Sequence, residues 1–469
     1  MRKFLVLLFS FFLAISLSAQ SGYHINIHID GLADSTVYLA HHYGNMQVMD
    51  DTLILDARAD GLFSGPNQLQ GGMYMIALPP DNHFFELVLD QDQNFSLSTK
   101  EGSLVDDMKI KGSVENKMFY EDLQFIKSQR KAYMHAVARK GVLDDENDSI
   151  EIYDNILKEI DLDVRTHRSQ FEKDNPDLLY TKILKATPDP ELPEPERDEA
   201  GNLIDSFYAY HFNINHFFDN YDFSDLRLLY TPIYHRKLDE YINTWTVQFP
   251  DSIIAAIDRV AFLAKDNKEV FKYTIAYLLN KYASNKIMGM DAVYVHIAEK
   301  YYLSGEADWV DAEQLQKIKT DALSLKPLLL GKVAPNVIVK DIQGNWRALH
   351  DVKSKYTLLY FWDSDCGTCR KETPQLYSYY EKVKDKDVEV FAVSIELIRK
   401  NWETFIDENK LNDWINCIDD KEESNFRSVY NIKGTPIIFL LDAEKKIVAK
   451  RLNVEQTFQY LERLMQVDE

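Results

Sequence analysis

The segment Tyr356-Thr-Leu-Leu-Tyr-Phe-Trp362-Asp-Ser-Asp-Cys366-Gly-Thr-Cys369-Arg-Lys-Glu372-Thr-Pro374 decides the fold of the last third of the chain. Tyr356 to Trp362 is a short β-prone apolar run, the pattern of a buried strand. The chain then turns through Asp363-Ser-Asp365 and starts a helix near Cys366. At a helix N-terminus the unpaired backbone N–H groups and the dipole favour negative charge. Such surroundings draw a thiol below its free pKa of about 8.5 and give a nucleophilic thiolate near neutral pH. The two-residue spacer lets Cys369 reach back across one helical turn and close a disulfide. Cys366, nearer the exposed loop, is expected to attack, and Cys369 to resolve the resulting mixed disulfide.

Outward from this segment, Gly331-Lys-Val-Ala-Pro335 opens a region of alternating strands and helices. Val337 to Lys340, Gly344-Asn345 and Trp346 to Leu349 read as a hairpin. Val388 to Ile395, Ile437 to Leu441 and Lys446 to Arg451 read as further strands, and Val454 to Met465 as a closing helix. The pattern predicts an α/β sheet layered by helices over residues 331–469. Gly434-Thr435-Pro436 stands directly before one strand. A cis peptide there would turn the backbone against the cysteines, ready for an extended substrate segment. Only about 5–6% of X–Pro bonds in folded proteins are cis, so the residues alone leave this open.

The upstream chain falls into three regimes. Arg2 and Lys3, the apolar run Phe4 to Leu17 and the small residues at Ser18-Ala19 predict a secretory signal peptide over 1–19. An uncleaved N-terminal anchor is the alternative. Residues 20–111 read as a small antiparallel β-sandwich. Tyr23 to Ile29 alternates with period two, and Val37-Tyr38-Leu39, Met73 to Ile76 and Phe84 to Leu89 are short runs between turn residues. Residues 112–330 read as helical, starting at Ser113-Val-Glu-Asn116, with amphipathic stretches at Ile150 to Phe171, Leu226 to Thr246 and Val270 to Ser284. Pro188, Pro190, Pro193 and Pro195 mark an exposed loop.

Composition narrows the chemistry. The net charge of −22 argues against a nucleic-acid partner, which needs a basic face. The three cysteines all follow residue 365, and two share one Cys-x-x-Cys, so they indicate chemistry rather than a disulfide framework. A zinc site wants four ligands, and no second Cys pair or neighbouring His pair is present, so no metal is expected. Cys417, in Trp414-Ile-Asn-Cys-Ile418, reads as a buried apolar cysteine, with a third redox thiol as the alternative. His211, His216 and His235 lie among aromatic residues and read as an aromatic helical core rather than a metal or cofactor cleft. His41-His42 and Asp50-Asp51 read as exposed turn or strand residues.

Residues 331–469 resemble the TlpA/ResA/DsbE group of extracytoplasmic thioredoxin-like proteins. The resemblance rests on Ala334-Pro335, Phe361-Trp362, Cys366 to Cys369, Glu372 with Pro374, and Gly434-Thr435-Pro436, in that order. It implies a thioredoxin fold with a redox-active Cys366–Cys369 disulfide and no cofactor. It implies Cys366 as nucleophile, Cys369 as resolving thiol, Pro436 as a cis proline and Glu372 as a buried acid that modulates proton transfer. Trp362, Gly367, Thr368 and Thr435, which flank these groups, are the candidate substrate contacts. The 70-residue interval from Cys366 to Pro436 suits the extra strand and helix of this group. The upstream regions look like the β and helical domains of unknown function that accompany such modules in exported Bacteroidetes proteins.

Departures from the group pattern bear on direction. Asp365 stands where tryptophan is usual, Thr368 replaces proline, and Tyr360 takes the place of the aspartate that plain thioredoxin buries. Asp363 and Asp365 disfavour a thiolate, whereas Arg370 and Lys371 favour it. The reading is an exported thiol–disulfide oxidoreductase of the periplasm or cell envelope. It is expected to reduce protein disulfides with electrons from a membrane donor. One alternative is a thiol peroxidase of the AhpC/TSA type, which expects threonine where Asp363 stands. The other is an envelope binding protein that carries the thioredoxin module as an accessory.

Overall fold

The computed structural model describes residues 22–80, 83–143 and 149–467; the expected signal peptide lies outside them. The chain divides into two compact units that meet in sequence at Trp245 and Thr246. The first unit begins with eight strands: β1 (His24–Asp30), β2 (Thr36–Tyr43), β3 (Met46–Ile54), β4 (Asp60–Ser64), β5 (Gly72–Leu78), β6 (His83–Leu89), β7 (Asn94–Lys100) and β8 (Lys109–Lys111). They form two four-stranded sheets, ordered β4-β1-β7-β8 and β3-β2-β5-β6. Ile25, Ile27 and Ile29 are buried while their strand neighbours face outward, as period-two alternation requires.

Among the described residues, all pairings in these sheets are antiparallel except one: β1 runs parallel to β7, from His24 opposite Asn94 to Asp30 opposite Lys100. The purely antiparallel expectation is corrected here. Short hairpins force antiparallel neighbours, but β1 and β7 are joined through the whole second sheet, which leaves room for a crossover. His41 and His42 also depart from expectation. Both lie on β2; His42 is buried, and His41 Nδ1 pairs with Asp50 Oδ2 at 2.7 Å.

Helices follow: α1 (Val114–Lys140), α2 (Ser149–Asp174), α3 (Leu179–Ala186), α4 (Tyr208–His216) and α5 (Pro232–Glu240). Ser113 caps α1, its hydroxyl accepting from the Asn116 N–H at 3.2 Å. Asn116 is fully buried and ties α1 to β6, donating to the Val88 carbonyl at 2.8 Å and accepting from the Val88 N–H at 2.9 Å. The continuous stretch expected from Leu226 to Thr246 is instead broken. A 3-10 turn at Leu226–Leu228 ends before Thr231, which caps α5 with Pro232 in its first turn. Proline has no N–H to give a preceding turn, so it starts a helix rather than continuing one.

The second unit holds α6 (Pro250–Ala264), α7 (Lys268–Ala283), α8 (Asp291–Ile297) and α9 (Ala312–Leu325), then an α/β region. Its elements are β9 (Ile338–Asp341), β10 (Trp346–Ala348), β11 (Tyr356–Trp362), α10 (Gly367–Tyr380), β12 (Val388–Ser394), α11 (Arg399–Glu408), β13 (Ile415–Ile418), α12 (Phe426–Val429), β14 (Ile437–Leu441), β15 (Ile447–Lys450) and α13 (Val454–Val467). The seven strands form one mixed sheet, ordered β10-β9-β13-β12-β11-β14-β15. The helical region is thus shared, with α1 to α5 in one unit and α6 to α9 in the other.

Strand β11 is central, parallel to β12 on one side and antiparallel to β14 on the other. All seven of its residues are buried, which explains why its sequence is apolar or aromatic at every position but Thr357, whose hydroxyl pairs with Ser354. Leu358, Tyr360 and Trp362 point into one core with Cys369, Trp402 and Trp414. Leu359 and Phe361 point into the opposite core with Phe391, Val393 and Cys417.

Replacing Asn116 by alanine strands a buried backbone N–H and carbonyl at Val88, and two such losses cost about 3 kcal/mol together. Urea denaturation of Asn116→Ala should show this loss in the transition of the first unit, with the cysteine reactivity of the second unchanged.

Candidate functional site

Helix α10 begins where β11 leaves the core. Cys366 is its N-cap, with extended backbone, and its Sγ accepts from the Cys369 N–H at 3.3 Å. The same Sγ donates to the Thr435 carbonyl at 3.3 Å, and the Thr435–Pro436 bond is cis. Both cysteines are free thiols, Cys366 half-buried and Cys369 fully buried. Pro374, inside α10, has no N–H for the turn before it.

The two thiols differ in acidity. Burial pushes the Cys366 thiol up, but hydrogen bonds from the Cys369 thiol and N–H, the Thr435 hydroxyl and the Thr368 N–H outweigh it, so its pKa is lowered. Cys369 is pushed up to about 12, by burial first and then by its hydrogen bond to Cys366. Charged neighbours are engaged elsewhere: Arg370 Nη2 pairs with Asp365 Oδ1 at 3.2 Å, and Arg370 Nε donates to the Ser364 carbonyl at 2.7 Å. Hydrogen bonding, rather than the balance of Asp363 and Asp365 against Arg370 and Lys371, lowers the Cys366 pKa.

Glu372 lies one turn beyond Cys369, half-buried, and burial raises its pKa. A cavity of about 430 Å³ lies beside this turn, with Thr368 and Glu372 on one wall and Pro436 and Ile437 on another. Gly367 and Thr368 are exposed, and Thr435 is half-buried. Trp362 must be withdrawn as a substrate contact: it has no exposed surface and packs on Tyr360 and Phe405 in the core. Tyr360 is equally buried, its hydroxyl 2.8 Å from Thr373 Oγ1.

Sequence reading missed Ser364 and Glu396. Both are buried, and Ser364 Oγ donates to Glu396 Oε2 at 3.0 Å. Glu396 Oε1 in turn accepts from the Ile398 N–H at 2.8 Å, so the loop before Cys366 is anchored to the segment after β12. An acid just past the C-terminal end of a buried strand is the signal that could have led to Glu396.

Other candidates stay apart. Cys417 is buried on β13, in the core on the opposite sheet face from Cys369, and burial raises its pKa. His211 pairs with Asp205 and His216 with Asp219, each at 2.7 Å, on a helix with no buried residue. The aromatic core expected around them is built instead by Phe217, Phe218, Tyr221, Tyr234 and Tyr241. Among the described residues no group of three or more His, Cys, Asp or Glu is placed to hold a metal, and no helix is long and apolar enough to cross a membrane.

Three families match in succession. Residues 23–119 match a domain of unknown function (DUF4369), residues 178–325 another (DUF5106), and residues 330–450 the AhpC/TSA family. The chain is 33% identical over 137 residues to the thiol-disulfide oxidoreductase ResA of a Bacillus cereus strain, covering 29% of this chain and 77% of that protein. Among solved structures, a domain of a possible thiol-disulfide isomerase from Cytophaga hutchinsonii is 42% identical, covering 30% of this chain and 96% of that one, with a TM-score of 0.29. The thioredoxin domain of a Bacteroides vulgatus thiol-disulfide oxidoreductase is 36% identical, covering 29% and 96%, with a TM-score of 0.27.

The thiol geometry has a direct readout. In the reduced protein, iodoacetamide should label one cysteine, Cys366, with a rate whose pH midpoint lies below the ordinary thiol value. Cys369, whose pKa is about 12, should resist labelling up to pH values that unfold the chain. Mass mapping against pH checks both statements.

Proposed function

The chain belongs to the ResA-like thiol-disulfide oxidoreductases of the thioredoxin family, and from that premise we propose that it is an exported reductase of protein disulfides acting through Cys366 and Cys369. The observation that carries the division of roles between the cysteines is the split between the thiols: one half-buried at the helix N-cap with a lowered pKa, its partner buried and pushed up to about 12. The Cys366 thiolate attacks one sulfur of a substrate disulfide. A mixed disulfide forms, and the other substrate sulfur leaves as a thiolate. Cys369 then loses its proton and attacks the Cys366 sulfur, which releases the second substrate thiol and leaves Cys366–Cys369 oxidised. We assign to Glu372 the proton that Cys369 gives up, because it is a half-buried carboxyl one turn along the same helix. The Thr435 carbonyl and N–H groups of the turn receive the extended substrate backbone.

The direction follows from what stabilises the reduced state. A strongly stabilised thiolate makes an oxidant. Here the hydrogen bonds that lower the Cys366 pKa come from uncharged groups, which stabilise a thiolate less than a cation would. Regeneration requires an external dithiol, and we assign that role to a membrane electron donor in the periplasm or cell envelope. The segment from Arg2 to Ala19 supports export. The peroxidase alternative is weaker because Asp363 occupies the position where that chemistry expects threonine.

The test is the reduction potential of the Cys366–Cys369 pair, equilibrated against dithiothreitol. A value near that of thioredoxin, about −270 mV, is expected; one near −120 mV, as in a strong oxidant, would reverse the assigned direction. Cys369→Ala should accumulate mixed disulfides on Cys366 and Cys366→Ser none. Peroxide turnover at rates above those of disulfide exchange would restore the peroxidase reading.

A further inference from the structure

The cavity beside α10 has a wall that does not come from the α/β region. Asp291, Leu325 and Leu328 line it, together with Lys450 of β15. All belong to the second compact unit, yet Asp291 and Leu325 lie in the stretch matched by the domain of unknown function, outside the 330–450 match. Asp291 and Lys450 are 4% and 3% exposed. Lys450 Nζ donates to Asp291 Oδ2 and to the Leu328 carbonyl, so the cation is held by groups of the helical segment. Asp291 Oδ1 has no hydrogen-bond partner among the described residues, although it is buried.

An ionised carboxylate oxygen only accepts, so what completes Asp291 is a donor. Leaving such an oxygen buried and unpaired costs about 1–3 kcal/mol, which a donor entering the cavity would recover. Glu372 places a second carboxyl on the same cavity, and the exposed Arg451 stands at its rim. Between these polar groups the walls are apolar: Leu325, Leu328, Pro436, Ile437 and Leu452. Apolar walls leading to a buried carboxylate fit a long alkyl stem with a cationic head. Lys450 is already taken up by Asp291 and the Leu328 carbonyl and Arg451 is exposed, so inside the cavity an acidic side chain would face two carboxyls, and a short polar one would leave the apolar walls uncovered.

We propose that this cavity is a specificity subsite that takes a lysine or arginine side chain next to the reactive cysteine of the substrate, with Asp291 of the helical segment as its acceptor. The proposal rests on the oxidoreductase reading above and adds the substrate feature it selects. It also gives the helical segment a role in choosing substrates.

The test uses the full chain carrying Cys369→Ala, so that each reaction stops at the mixed disulfide. Its probes are short capped peptides whose single cysteine is activated as a 2-pyridyl disulfide, with lysine, norleucine or glutamate within two residues of it. Cys366 displaces pyridine-2-thione, whose absorbance gives the rate. Lysine peptides should react about tenfold faster than norleucine peptides, and glutamate peptides slowest. n-Pentylamine should slow the lysine peptide and leave the norleucine peptide unaffected. Asp291→Asn combined with Lys450→Met removes the carboxylate charge and its buried cation together and should bring the lysine-to-norleucine ratio close to one. That ratio, taken within one protein, is insensitive to changes in folded fraction or thiolate reactivity. Equal rates for all peptides, or a ratio that survives the double replacement, would overturn the subsite alone. A chain that reacts with no peptide would overturn the oxidoreductase reading as well.

Discussion

Strand β11 is buried on both faces, and the rest of the second unit is arranged around that constraint. A central strand has no solvent side, so its backbone must be paired by β12 and β14 and its side chains must fill two cores. Trp362 closes one of those cores at the strand end. The chain first meets solvent in the short loop that follows, and α10 starts there. Its first residues therefore stand at the boundary between core and water. One helical turn separates Cys366 from Cys369, which is enough to leave the first half-exposed and the second fully buried. The difference in acidity between the thiols follows from that single turn.

The site is tuned by short-range hydrogen bonds more than by its formal charges. Asp365 and Arg370 satisfy one another, and Arg370 also holds the Ser364 carbonyl. Ser364 is tied to Glu396, so the loop before Cys366 is fixed from beneath by a buried pair. A loop held this way keeps the sulfur between the Cys369 N–H and the Thr435 carbonyl. Neutral donors stabilise a thiolate moderately, because they lose less solvation than a buried cation would and also attract less.

The helical segment from α6 to α9 is joined to the α/β region by a buried ion pair, Asp291 with Lys450. Burying two charges is costly, and such a pair is weak evidence for added stability. Its geometry makes better sense as placement. Lys450 ends the edge strand β15, and its cation is held by the helical segment rather than by solvent. The Asp291 carboxylate is thereby set into a cavity that also reaches Thr368 and Glu372 of α10.

Much of this was legible in the chain because it depends on local periods and fixed spacings. The run from Tyr356 to Trp362 is both a predicted and an observed strand, and Ser113 caps α1 as the sequence indicates, because each signal lies within a few residues. The Cys-x-x-Cys spacing likewise set the order of the two thiols along a helix. Tertiary packing decided the rest. The parallel partner of β1 is β7, on the far side of the second sheet in sequence, and no local pattern encodes it. Trp362 looks like a contact beside a reactive cysteine, yet strand alternation turns it into the core. Ser364 with Glu396, and Asp291 with Lys450, are distant in sequence and become partners only when the sheet and helices assemble. Sequence by itself determined that two cysteines stand one turn apart at the start of a helix, since that depends on spacing along one element. Only the tertiary structure decided what surrounds them, since burial and hydrogen bonding depend on which distant segments the folded core brings together.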